Sequence, residues 1–365
     1  MSILAITVEK EGITKNLKTA NFPFVDSIRC LAMMGIVFEH CTYAGTYLFD
    51  TFTPRLATYV SLIQFPKFGT VAFFMLAGFL LGEKFFTYTP WEYFRRRLQT
   101  TIKPWLFWSL LFVGAMFLKT WIIEHKSAGF SLGETLAQTV QRVYLFTNYW
   151  FIINFLVCIG TLLLFRRFLY SWWLGLVLLL VTLVYAFNIH LLWFFPVHTT
   201  AIFGFVFFLW LGACLHRNWE QVSILLDRVP HLVFVLLFAG TFYLSVYEIQ
   251  VLYAQQVEDP FNTLRLSNLL YSLCAVFWLL KIRSIPFTRF FQPRDTTFGI
   301  YLIHYILVYN FLPELLRPLG LLNVQDLSLI EIILSSVGKF VVVYLTTFAL
   351  VKLIARSPLR GLIGR

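Results

Sequence analysis

Residues 172–187 read Trp172-Trp-Leu-Gly-Leu-Val-Leu-Leu-Leu-Val-Thr-Leu-Val-Tyr-Ala-Phe187, with no charged side chain. A helix rises about 1.5 Å per residue, so apolar runs of about 17 to 25 residues span the hydrocarbon core of a bilayer. Comparable runs lie near Phe24–Tyr43, Gln64–Glu83, Pro104–Ile123, Thr147–Phe165, Thr199–Leu215, Pro230–Tyr247, Leu264–Leu280, Thr297–Pro313 and Ile330–Val351. The pattern predicts an all-α polytopic membrane helix bundle of about ten transmembrane helices.

Composition points the same way. Of 365 residues, 59% are hydrophobic and 13% charged, against about a quarter charged in soluble domains. The net charge of +11 is no nucleic-acid footprint, because the cations fall between apolar runs and form no continuous basic patch. With the N-terminus inside, 20 of the 29 Lys and Arg fall on cytoplasmic segments and seven outside, as the positive-inside rule requires. Both termini are therefore expected in the cytoplasm. Residues 1–21 read as a cytoplasmic tail without signal-peptide order, 22–355 as one membrane domain, and 356–365 as a second tail. The five cysteines lack metal-type spacing, so neither a metal site nor a disulfide framework is expected.

Ionisable residues inside membrane helices cost about 2.5–3.5 kcal/mol each on insertion scales, so each asks for a partner or a role. In the first run, Arg29 and His40 are eleven positions apart, close to three full turns, so both project from one face about 16 Å apart. Asp26, one turn before Arg29, is placed to pair with it. Arg29 itself either snorkels to the interface or binds an anion. Glu39 points to another face and is expected at the interface. An imidazole such as that of His40 takes a proton from a hydroxyl and returns it to a leaving group.

The segment joining the second and third runs carries Arg95, Arg96 and Arg97. These either enforce topology and touch anionic lipid or clamp phosphate oxygens bidentately. Tyr301 and His304 lie one turn apart in the ninth run, and Lys339 sits inside the tenth. For each, structural pairing and function remain open.

Asp26-x-x-Arg29 followed by ten residues and His40 resembles the first-helix pattern of acyltransferase family 3, the multi-pass O-acyltransferases of bacterial surface glycans and related acceptors. Further landmarks are similar: Gly69 to Leu80, Arg95-x-Arg97, Tyr149-Trp150-Phe151 and Tyr301-Leu-Ile-His304. Ala77 departs from the pattern, standing where the family often has Ser. The resemblance implies His40 as general base, with Asp26, Arg29 and Arg95–Arg97 serving donor binding or site architecture. It implies acyl-CoA, chiefly acetyl-CoA, as donor substrate with no bound cofactor. A carbohydrate or lipid-linked glycan would be the acceptor, at the bacterial plasma membrane among its lipids. Many members add an extracytoplasmic hydrolase-like domain; here a membrane domain alone is expected, leaving any second acyl-handling step to another protein. The competing expectation is a transporter or flippase whose pathway is lined by Arg29, His40, His304 and Lys339.

Overall fold

A computed structural model describes residues 22–44, 51–82, 88–126 and 130–365; the expected N-terminal tail lies outside these. The chain is helical throughout, with no strand among the described residues. The helices are α1 (Pro23–Tyr43), α2 (Pro54–Gln64), α3 (Gly69–Leu81), α4 (Pro90–Arg97), α5 (Lys103–Glu124), α6 (Leu132–Phe146) and α7 (Trp150–Leu164). There follow α8 (Trp172–Leu191), α9 (Val206–Arg217), α10 (Trp219–Arg228), α11 (His231–Ala254), α12 (Leu266–Ile282), α13 (Pro293–Ile306) and α14 (Leu329–Ala355).

Among the described residues, six helical stretches are long and apolar enough to cross a membrane, or seven if the bent pair α6–α7 is one span. The expected ten are not reached, for two reasons. Helix α1 carries three charged residues, Asp26, Arg29 and Glu39, within its 21 residues. Helices α9 and α12 have 12 and 17 residues, rising only about 18 and 26 Å against a core of about 30 Å. The expected second run also changes, because α2 and α3 together form one stretch from Pro54 to Leu81. The periphery suits lipid: Leu110, Ile122, Leu232, Leu236, Leu334 and Leu345 are exposed, far more apolar surface than a soluble protein leaves bare.

The arginine cluster lies on a helix rather than in a loop. Thr89 caps α4 in a reciprocal capping box with Glu92, and Pro90 fills the first turn, the sequence signature of a helix start. A π-helical turn, Leu98–Ile102, carries it into α5. The segment between the third and fourth runs likewise contains α6, which meets α7 at 59°.

At the centre, α1 packs on α3, α13 and α14, and α3 on α9. The α3–α9 crossing is so close that a Cβ added at Gly78 would run into the Leu209 carbonyl, and one at Gly212 into the Met75 carbonyl. Small residues let membrane helices approach in this way. Residues 356–365, expected as a tail, fold back as a 3-10 turn (Pro358–Ile363). Trp108 donates its indole N–H to the Leu362 carbonyl at 2.8 Å, and buried Ile363 packs beside Gly299.

Candidate active site

A cavity of about 430 Å³ runs along α1. Arg29 and Arg97 line one end together with Arg294; Glu39, His40 and His198 line the other, and Phe73, Trp150, Phe151, Phe155 and Tyr301 wall the middle. Helical phase explains the length, since Arg29 and His40 share a face of α1 about 16 Å apart. Apolar walls between polar ends are the usual make-up of a small-molecule site.

At the basic end, Asp26 is held chiefly by Arg294, whose Nε donates to both carboxylate oxygens at 2.9 and 3.0 Å. The expected partner, Arg29, stands 4.0 Å from the same carboxylate. The pairing differs because α13 brings Arg294 in from 268 residues away, which helix spacing alone does not reveal. Arg294 and Arg29 approach this one carboxylate and Arg97 lines the same cavity, leaving an excess of positive charge. Arg97 also donates from Nε to the Tyr93 hydroxyl at 3.1 Å. Arg95 and Arg96 are exposed and line no part of the cavity. Two residues along a helix turn the side chain by about 200°, so Arg95 and Arg97 leave α4 in nearly opposite directions.

At the other end, His40 Nδ1 lies 2.9 Å from His304 Nε2, and His304 Nδ1 lies 2.9 Å from the Ile300 carbonyl oxygen. The carbonyl only accepts, so His304 Nδ1 carries the proton and, in the neutral ring, Nε2 is bare. His40 Nδ1–H must then donate to it, which leaves the His40 Nε2 lone pair without a hydrogen-bond partner among the described residues. That is the tautomer a general base needs. Buried His304 does not line the cavity. The two ring planes lie within 5° of parallel, as an in-plane bond between ring nitrogens requires, and Tyr305 meets His40 edge-on at 5.0 Å.

The bend between α6 and α7 fixes this part of α13. Asn148 Nδ2 donates to the Tyr301 carbonyl at 2.8 Å, Tyr301 Oη donates to the Asn148 carbonyl at 2.6 Å, and Tyr149 Oη donates to the Leu302 carbonyl at 2.6 Å. Tyr301 is thereby a buried bracket beside His304. Trp150 faces the cavity and meets the His198 ring edge-on at 5.4 Å. Lys339 is elsewhere: it is buried, donates to the Ala44 carbonyl at 3.0 Å, and lines no part of the cavity.

Several lining or supporting residues carry no signal in the sequence. Glu39, expected at the interface, is mostly buried and accepts from buried Lys67 at 2.5 Å. His198 lies in a 3-10 turn ahead of short α9, and its Nδ1 is 2.6 Å from Asp259 Oδ2. Burial would raise the Asp259 carboxyl, but the His198 ring, with Lys67 farther off, holds it below its ordinary range. Irregular backbone at membrane depth is tolerated where it is buried in protein or lines a cavity, and the segment around His198 does the latter. Among the described residues no cluster of His, Cys, Asp and Glu is arranged to hold a metal.

No curated protein and no solved structure matches this chain. The acyltransferase domain of family 3, in contrast, matches residues 22–356. That span takes in α1 with Arg29 and His40, the bent pair α6–α7, the His198 turn and α13, so the chain that builds this cavity belongs to acyltransferase family 3.

Proposed function

We propose that the protein is a membrane O-acyltransferase of the bacterial plasma membrane. It moves an acyl group, acetyl by preference, from cytoplasmic acyl-CoA to a hydroxyl of a carbohydrate or lipid-linked glycan. Both termini and α4 face the cytoplasm in this reading. The observation that carries it is the hydrogen-bond chain from Ile300 through His304 to His40, which leaves a bare imidazole nitrogen on a cavity whose far end is rich in guanidinium groups.

The donor's phosphates rest among Arg29, Arg97 and Arg294, where charge-assisted bidentate contacts are strongest. Its pantetheine arm lies along Phe73, Phe151, Phe155 and Tyr301, directing the thioester to His40. Nε2 of His40 takes the proton of the acceptor O–H as that oxygen bonds to the thioester carbonyl carbon. The C–S bond then breaks, and the proton passes from His40 to the thiolate sulfur, giving ester and free CoA thiol. Asp26 acts at a distance, by holding Arg294 at the cavity mouth.

The test is transfer itself. Purified protein in lipid nanodiscs, given acetyl-CoA labelled in the acetyl group and a membrane glycan fraction, should move label into the glycan in an ester that mild base removes. Label that remains in CoA, or leaves it equally fast without protein, contradicts the proposal.

A further inference from the structure

The two ends of the cavity are chemically opposite. One offers guanidinium donors. The other offers hydrogen-bond acceptors, each turned by a partner. His198 Nδ1 is engaged by Asp259 at 2.6 Å, and the carboxylate accepts, so the proton sits on Nδ1 and Nε2 is the ring's remaining acceptor. Glu39 gives Oε1 to Lys67, and Oε2 has no hydrogen-bond partner among the described residues. Both residues line the same cavity as His40, and both are partly accessible, with side-chain exposures of 21% and 12%.

Lys67, paired with Glu39, opposes a cationic ligand, while the carboxylates of Glu39 and of Asp259, the latter behind the His198 ring, oppose an anionic one. What fits is a neutral group that donates hydrogen bonds. The reacting hydroxyl gives its own proton to His40, so Glu39 and His198 must be met by a second donor.

We infer that Glu39 and His198 form the acceptor subsite, and that they select an acceptor with a second hydroxyl beside the one that is acylated. Lys67 and Asp259 are positioning residues for the pair. The inference rests on the acyl-transfer reading and adds the residues that read the acceptor.

Small alcohols test it on the full chain in nanodiscs with saturating acetyl-CoA. Ethylene glycol carries the second O–H; 2-methoxyethanol keeps a similar inductive effect but has that hydroxyl methylated; ethanol lacks the oxygen. Per reactive hydroxyl, kcat/KM for ethylene glycol should exceed that for 2-methoxyethanol by about tenfold, the worth of one good hydrogen bond to a charged or oriented acceptor. The gain should lie mainly in acceptor KM. The ratio should fall towards one in Glu39→Gln and in His198→Ala, while the KM for acetyl-CoA stays put, which a merely structural role would not produce. The ratio is internal to each preparation, so a partly unfolded variant leaves it readable, and the wild-type ratio needs no variant. Equal use of the two alcohols by wild type, no transfer to any of the three, or a ratio that survives in both variants overturns the subsite. If His40-dependent release of CoA is missing even with water as acceptor, the acyl-transfer reading has failed and the subsite falls with it.

Discussion

His40 and His304, 264 residues apart in sequence, are joined by a 2.9 Å hydrogen bond that fixes which nitrogen of His40 is bare. The direction of that bond follows from the second one, between His304 Nδ1 and the Ile300 carbonyl. In the proposed mechanism a proton on the wrong nitrogen would leave His40 unable to act as base, which makes His304 a positioning residue in that reading.

His304→Ala should therefore lower kcat far more than it raises either KM. Leaving a buried donor unpaired costs about 1–3 kcal/mol, which corresponds to about a fivefold to hundredfold loss in rate. His304→Gln should recover much of this, because its amide oxygen accepts from His40 Nδ1–H as the ring nitrogen did. Steady-state kinetics of both variants decide it; equal loss in the two would mean that His304 acts by packing.

The basic end divides the arginines. Arg97→Ala and Arg294→Ala should raise the donor's KM, since charge-assisted contacts are worth about 1.5–3 kcal/mol when well formed, or about tenfold to a hundredfold. Arg95→Ala and Arg96→Ala should leave it near wild type, because those side chains point away from the cavity. Lys at 97 or 294 should restore only part of the binding, having lost the bidentate fork. Added salt should weaken donor binding by screening. Donor titration across the four alanine variants checks this, and a larger effect at Arg95 than at Arg97 would move the phosphate site outside the cavity.

The closest helix contact makes a stability prediction. Gly78→Ala and Gly212→Ala each drive a methyl into a backbone carbonyl of the facing helix, which cannot swing aside as a side chain does. The cost should exceed the roughly 1–3 kcal/mol of ordinary overpacking. Size-exclusion profiles in detergent should show loss of the monodisperse species, whereas Gly114→Ala, where an added Cβ meets nothing, should behave as wild type.

Much of this arrangement was legible in the sequence because bilayer span and helical phase are local rules. Apolar runs mark the helices, and the eleven-residue step from Arg29 to His40 puts both on one face, where both meet the cavity. The same rule would have separated Arg95 from Arg97 had Thr89-Pro90-Trp91-Glu92 been read as a capped helix start. What the sequence hides is pairing across the fold. Arg294 reaches Asp26, and Asp259 reaches His198, only because distant helices and a loop bring them together. Glu39 reads as interfacial until Lys67, carried in by the turn between α2 and α3, lies beside it.

Topology is independently testable, motivated by the 20-to-7 division of cations. A cysteine placed at Arg96 should resist an impermeant thiol reagent added to intact cells and react once the membrane is opened. The native cysteines are buried or half-buried, so background labelling should be low. Reaction in intact cells would put α4, and the donor end with it, on the outside.

Acyl transfer stands most directly on His40. Release of CoA thiol from acetyl-CoA by purified wild type and His40→Ala, both in nanodiscs and both shown to be monodisperse, measures it. General acid–base catalysis contributes about 10²–10⁴-fold, so the variant should lose at least about a hundredfold in kcat while its donor KM stays within a few-fold of wild type. Thiol release by a folded His40→Ala variant at the wild-type rate would make this histidine structural and the bare nitrogen on the cavity wall irrelevant to the chemistry.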